Sequence, residues 1–142
     1  MTAPILYGPD LPQLLRSEIL ADIFEATADR VPEKAALIFG SRRLTYGELN
    51  QAADRAAHRL MEAGVRPGQM VGLWHPRGIE LLVLQLAVAK TGAAWLPFDA
   101  DVPTDRIAVC LDDAQAVALL IDEQHGLAAR AQPDISTQLF TA

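Results

Sequence analysis

The sequence predicts an α/β fold in three layers: a mainly parallel sheet, helices on both of its faces, and a short N-terminal hairpin. Three observations lead there. Uninterrupted apolar runs recur at residues 70–74, 93–96 and 116–121, each suited to a strand buried on both faces. Segments with helical spacing alternate with these runs, which is the pattern of strands joined by right-handed crossovers. Glycines punctuate the joins, with Gly64 and Gly92 each standing directly after a helical pattern.

Residues 1–16 hold Pro4, Pro9 and Pro12 and show no period, as expected of a surface arm. Residues 17–131 are read as the folded subdomain and residues 132–142 as a tail without pattern. The first helix takes Ser17 as its cap, carries Leu20, Ile23, Phe24 and Thr27 on one face, and ends at Pro32. Residues 35–39 and 42–45 flank Gly40-Ser41 and read as the hairpin. Thr45-Tyr-Gly-Glu48 fits a capping box, in which the Thr45 hydroxyl and the Glu48 carboxylate satisfy orphan backbone N–H groups. Leu49, Ala52, Ala53, Ala56, Ala57, Leu60 and Met61 then form one apolar stripe, and the alanines let this helix lie close on its neighbours. Residues 79–90 are apolar on nearly every side, so that helix is expected to be covered on both faces until Gly92 stops it. The strand at 93–96 is closed by Pro97. Thr104 caps a helix with Ile107, Cys110, Leu111 and Ala114 on its apolar face, the strand at 116–121 follows, and a last short helix covers 123–131.

Composition narrows the class. The chain has 142 residues, 51% hydrophobic and 21% charged, which suits one globular domain and not a disordered segment. The net charge is −6 and no Lys/Arg-rich run stands out, which argues against a nucleic-acid partner. Cys110 is the single cysteine, so no intramolecular disulfide forms and a reducing cytoplasm is the expected compartment. The N-terminus has no basic segment followed by an apolar core, and the apolar stretch at 79–89 is too short to span a bilayer, so no membrane contact is expected.

Residues able to carry chemistry are few, and each has a structural reading. Asp99 and Asp101 fit a turn entering a helix better than a metal site. Asp112 and Asp113 end a helix with one carboxylate solvated, and adjacent positions point to different faces. His58, His75 and His125 lack metal-ligand spacing. His58 falls off the apolar stripe and is expected to be exposed. His75 follows a strand at its C-terminal end, the edge where open α/β sheets bind ligands, yet is read as a structural histidine at a strand–helix junction. Cys110 reads as a buried, inert thiol, Trp74 and Trp95 as core, and Gly47, Gly64 and Gly92 as backbone punctuation. No residue is assigned a catalytic, cofactor-binding or metal-binding role.

Three blocks resemble the adenylation domains of non-ribosomal peptide synthetases, within the AMP-binding, adenylate-forming superfamily. Leu44-Thr-Tyr-Gly-Glu-Leu-Asn50 is similar to the first core motif of that family. Val88-Ala-Lys-Thr-Gly-Ala-Ala-Trp-Leu-Pro-Phe-Asp99 is similar to the second. Pro103-Thr-Asp-Arg-Ile107, Leu111-Asp-Asp-Ala114 and the following strand are similar to the stretch after it, so the likeness runs over about residues 18–122. Leu96-Pro-Phe-Asp99 leans towards the amino-acid-activating branch, since acyl-CoA ligases more often carry asparagine at the place of Asp99; Trp95 departs from the tyrosine more usual there.

The resemblance implies part of the large domain of an enzyme that activates an amino acid with ATP and Mg2+, releases pyrophosphate, and passes the acyl group to the phosphopantetheine thiol of a carrier domain. That chemistry needs a phosphate-cradling loop, an acidic residue for magnesium and a lysine against developing charge. No run like Ser-Gly-Ser/Thr-Thr-Gly-x-Pro-Lys, Walker loop or Gly-x-Gly-x-x-Gly occurs in this chain. The expectation is therefore an N-terminal scaffold segment, inactive alone, placed before the phosphate-binding loop. Its partners would be the remainder of the domain and a carrier domain, and the isolated segment would self-associate through bare apolar surface or sheet edges. Only a short arm precedes it, so the native chain is expected to begin here. Two other readings stay open: part of an acyl- or aryl-CoA ligase, and a complete non-catalytic α/β module that binds a ligand or partner. Gly92→Val is expected to lower stability by more than ~1 kcal/mol, because a β-branched residue is strained at a left-handed helix stop; a urea-denaturation difference within error would refute that geometry.

Overall fold

The structure is a computed structural model that describes residues 9, 11, 12, 17–135 and 137–141. Most of the surface arm assigned to residues 1–16 lies outside them; Pro9 and Pro12 are exposed. The order is α1 (Leu20–Arg30), β1 (Ala35–Phe39), β2 (Arg42–Thr45), α2 (Tyr46–Glu62), β3 (Met70–Trp74), α3 (Ile79–Lys90), β4 (Ala94–Phe98), α4 (Thr104–Asp113), β5 (Ala118–Ile121), α5 (Glu123–Ala131) and β6 (Gln138–Thr141). Among the described residues β3 to β6 form a parallel sheet ordered β4-β3-β5-β6, and β1 pairs with β2 in the separate antiparallel hairpin.

Alternation along the strands builds the three layers. Val71 and Leu73 of β3, with Ala118 and Leu120 of β5, point to a face covered by Ala57 and Leu60 of α2 and by Leu84, Ala87 and Val88 of α3. Trp74, Leu119 and Ile121 point to the other face, where Ile107 and Leu111 of α4 and Ala129 of α5 pack. Gly72 faces the second of these layers: a Cβ there would come within 2.7 Å of a Leu111 methyl and 2.8 Å of a Leu119 methyl, so any side chain would push those methyls aside. A third cluster, Leu49, Ala53 and Leu86 with Phe24, Leu37 and Leu44, joins α1 and the hairpin to the α2/α3 layer.

The helix ends obey specific backbone chemistry. The Thr45 capping box is formed in both directions: the Glu48 N–H donates to the Thr45 hydroxyl oxygen at 3.2 Å, and the Thr45 N–H donates to the Glu48 carboxylate at 2.8 Å. α2 ends in a Schellman turn, with the Val65 N–H on the Leu60 carbonyl at 2.9 Å and Gly64 at φ +101°. At the end of α3, Gly92 is at φ +76° and packs on Pro67. There the Thr91 hydroxyl donates to the Val88 carbonyl at 2.7 Å and accepts from the Ala93 N–H at 3.3 Å, standing between two groups that a Schellman turn would bond directly. The same turn recurs after α4 on a non-glycine residue: Gln115 is at φ +49°, with the Ala116 N–H on the Leu111 carbonyl at 2.8 Å.

Several expectations are corrected. Ser17 does not cap α1; Ile19 occupies that position, and the Asp22 carboxylate accepts its N–H at 3.0 Å. Ala21 and Ala28 are the buried residues of α1, Phe24 and Thr27 are half-buried, and Leu20 and Ile23 are exposed, because α1 rests edgewise on α2 and α3. α3 is not covered all round, since Leu82 stays exposed. Pro97 does not close β4 but lies inside it, in register with Leu73; β4 is an edge strand, so a residue without an N–H breaks no ladder bond there. Thr104 is the first residue of α4 and Pro103 is the cap, with no side-chain bond. β5 begins at Ala118. The patternless tail contains β6, whose Leu139 and Phe140 pair with Leu119 and Leu120.

Lys90 ties the helical layer together. Its side chain is 5% exposed at the end of α3, and its ammonium bonds to Glu25 of α1 and lies 2.8 Å from Asp54 of α2. Burial works against the charged form, but the hydrogen bonds to Asp54 and Glu25 outweigh it and raise the Lys90 pKa above its ordinary value.

Gln115→Gly is expected to stabilise the fold by about 0.5–1 kcal/mol, since glycine takes the left-handed conformation without steric cost. A change in urea midpoint of zero or of opposite sign would show that the Gln115 side chain compensates the strain.

Candidate functional site

The parallel strands all end at one edge of the sheet. From β3 the chain moves outward to β4 through α3, then crosses back to β5 on the other side of β3 through α4. The reversal lies between β3 and β5, where Trp74 and Ile121 are in register at the strand ends. Open α/β sheets place ligands at this position. The residues brought together there are Trp74, His75, Asp122 and His125.

His75 is half-buried, and its Nδ1 lies 3.0 Å from the Pro76 carbonyl oxygen, so that nitrogen carries the proton in this contact. Asp122 caps α5: its carboxylate accepts the His125 backbone N–H at 2.9 Å and bonds to the His125 ring Nδ1. The His125 ring stacks at a tilt on Trp74, with centroids 4.5 Å apart. Trp74 is buried, and its indole N–H has no partner among the described residues. Burial pushes the Asp122 carboxyl up, but the two bonds from His125 and the charges of His125 and His75 prevail and hold it below its ordinary 3.8.

The helix starts at this edge are the natural places for a phosphate, because their free N–H groups point outward. Here each one already faces a carboxylate. Glu80 at the start of α3 lies near its own backbone N–H and pairs with Arg42, 2.6 Å away; these, with the nearby charges of Arg42 and His75, lower its pKa against the opposing effect of burial. Asp105 accepts the Arg106 N–H at 2.8 Å at the start of α4. Asp122 does the same at α5. A nucleotide phosphate brought to any of these three starts would meet like charge, so they do not fit that group.

The other candidate residues lie apart from one another in space. Asp99 and Asp101 are exposed; the turn is closed by the Val102 N–H on the Asp99 carbonyl at 3.2 Å, and the Asp99 carboxylate faces Arg77 at 4.0 Å across solvent. Asp112 and Asp113 are both exposed, where one solvated carboxylate was expected. His58 is exposed on α2, its Nδ1 2.8 Å from the Asp54 carbonyl. Cys110 is half-buried instead of buried, because it sits at the rim of the α4 face. Trp95 is half-buried on the edge strand and is not core, whereas Trp74 is. Sequence reading missed the Asp122–His125–Trp74 arrangement. The signal was Asp122 directly after an apolar strand and three residues before His125, the spacing of a helix cap.

Asp122→Asn should keep the cap and remove its charge. The folded-state pKa lies below the unfolded value, so the stability that Asp122 contributes is present above pH 3.8 and is lost as pH falls through the folded pKa. The variant is expected to be about 0.5–1 kcal/mol less stable at neutral pH, with a shallower loss of urea midpoint below pH 3.8. Parallel acid limbs in the two proteins would contradict this.

Comparison with known proteins agrees with this architecture. The family model described as AMP-binding enzyme matches residues 24–140. Delta-poly-L-ornithine synthetase of Acinetobacter baumannii is 53% identical over 123 residues, covering 87% of this chain and 9% of the relative. The Klebsiella oxytoca NpsA N-terminal subdomain in complex with 3-hydroxybenzoyl-AMSN superposes with a TM-score of 0.75 at 29% identity, covering 86% of this chain and 29% of that one. NpsA-ThdA, an artificially fused Adenylation-PCP di-domain NRPS from the same organism, gives 0.76 at 29% identity, covering 85% and 22%. The chain thus spans under a third of each of these relatives. With the family model matched from α1 to β6, the chain belongs to the AMP-binding enzyme family.

Proposed function

We propose that this chain is the N-terminal scaffold of an amino-acid-activating adenylate-forming ligase of the non-ribosomal peptide synthetase type. The enzyme would join an amino acid carboxylate to the α-phosphate of ATP with Mg2+, release pyrophosphate, and transfer the aminoacyl group to the phosphopantetheine thiol of a carrier domain. The observation that carries the reading is where the motif blocks fall. The block at Leu44 to Asn50 is the capping box joining hairpin to α2, and the block at Val88 to Asp99 is the α3 stop and strand β4. In this reading they serve as joints of the scaffold.

Residues 17–131 together with β6 form the subdomain in this reading, and residues 1–16 its arm. The nucleotide phosphates would be held by other parts of the larger protein, since the helix starts of this chain carry carboxylates. No helix among the described residues is long and apolar enough to cross a membrane. A cytoplasmic setting draws its support from the lone thiol of Cys110, which a reducing compartment suits. Partners would be the remaining adenylation domain and a carrier domain, and exposed apolar residues such as Val109 and Leu127 support self-association of the chain on its own. A second reading, activation of an aryl acid, draws on the structural likeness to a protein bound to a hydroxybenzoyl ligand.

The 142-residue chain alone is expected to show no amino-acid-dependent ATP–pyrophosphate exchange, and the larger protein that carries it is expected to exchange with an amino acid. Exchange by the chain alone would overturn the scaffold role. Exchange by the larger protein only with aryl acids would select the second reading, and no exchange with any acid would favour a non-catalytic module.

A further inference from the structure

An apolar groove of about 400 Å³ opens on the face of the sheet covered by α2 and α3. Its floor includes Ala56, Val83, Leu120 and Phe140, and its rim carries Arg42, Arg55 and Arg59. Arg42 is engaged by Glu80, but Arg55 and Arg59 are exposed, one helical turn apart on α2, with no ion pair among the described residues. Such a rim stands out on a chain of net charge −6.

The complementary surface is on the same molecule. On α4, Asp105 and Val109 lie one turn apart, and Asp112 and Asp113, about 100° apart around the helix, flank the line of Val109 on either side. Val109 is 68% exposed, and the three carboxylates beside it are exposed, with Arg106 at the margin of that face. An apolar knob ringed by acids therefore stands opposite, in chemistry, to an apolar groove ringed by arginines.

We propose that the groove receives α4 of a second copy of this chain, with Val109 seated on the apolar floor and Asp112 and Asp113 against Arg55 and Arg59. The groove and α4 lie on opposite faces of the sheet. One contact therefore leaves a free groove on one molecule and a free α4 on the other, so association is head-to-tail and does not stop at a dimer. Both surfaces belong to the 142-residue chain itself, so the association stands whether or not the larger protein is an adenylating enzyme.

The test is sedimentation velocity of the purified chain over a concentration series. Weight-average mass is expected to rise continuously with concentration and to fall to monomer in about 1 M salt, where the Debye length is ~3 Å. The double variants R55E/R59E and D112K/D113K should each associate at least about tenfold more weakly, and a 1:1 mixture of the two should regain association, because the reversed groove then meets the reversed helix. Should either double variant fail to melt cooperatively, Val109→Lys probes the apolar knob alone and is expected to weaken association to a similar degree. A monomer at all concentrations, a mass that saturates at the dimer, association indifferent to salt, or a mixture no stronger than its components would each overturn the proposal.

Discussion

The burial of Lys90 constrains most of what surrounds it. α3 carries Glu80, Gln85 and Lys90 as its polar residues and buries most of its apolar ones, and that burial brings a terminal ammonium under cover with it. An ammonium removed from water needs partners, and Glu25 and Asp54 come from two different helices. α1 and α2 are thereby held at one position along α3, and the hairpin follows because Leu37 and Leu44 pack in the cluster these helices form. Apolar packing supplies the attraction between the helices, and the Lys90 ammonium adds a directional contact to each of them.

On the other side of the sheet the constraint is steric. Gly72 leaves room for the terminal methyls of Leu111 and Leu119, which a Cβ at that position would displace. The chain reversal then brings the ends of β3 and β5 together and places His125 over Trp74. The result is a sheet edge with the topology of a ligand site but with its helix starts already neutralised by Glu80, Asp105 and Asp122. Topology and electrostatics point in different directions here, and the electrostatics of named groups is the more specific guide to what the edge can hold.

Much of the fold was legible because local rules and burial agreed. Thr45 and Glu48 announced α2, Gly64 and Gly92 marked its stop and that of α3, and the double-sided apolar runs gave β3 and β5. The failures occurred where tertiary context overrode a local rule. Pro97 read as a terminator because its cost depends on whether a strand has one neighbour or two, which no local window reveals. β6 was invisible because Gln138–Thr141 is short, and its pairing with β5 supplies what its sequence lacks. Leu20 and Ile23 looked buried because periodicity identifies an apolar stripe without saying whether a neighbour covers it. The candidate edge was half legible: His75 was noticed for its position, whereas the Asp122–His125 pair depends on the depth at which α5 docks.

Pro97 also decides the direction in which this sheet can grow. The Ala94 N–H donates towards β3, to the Gln69 carbonyl at 2.9 Å, so by alternation the nitrogen of Pro97 faces away from the sheet. A strand arriving on that flank would find a gap where a donor should be, and the pyrrolidine ring would hold it off. The opposite flank, along β6, carries no such block among its described residues. Any further strand supplied by a larger polypeptide is therefore steered to the β6 side, and a single imino acid gives an otherwise symmetrical sheet a closed end and an open one.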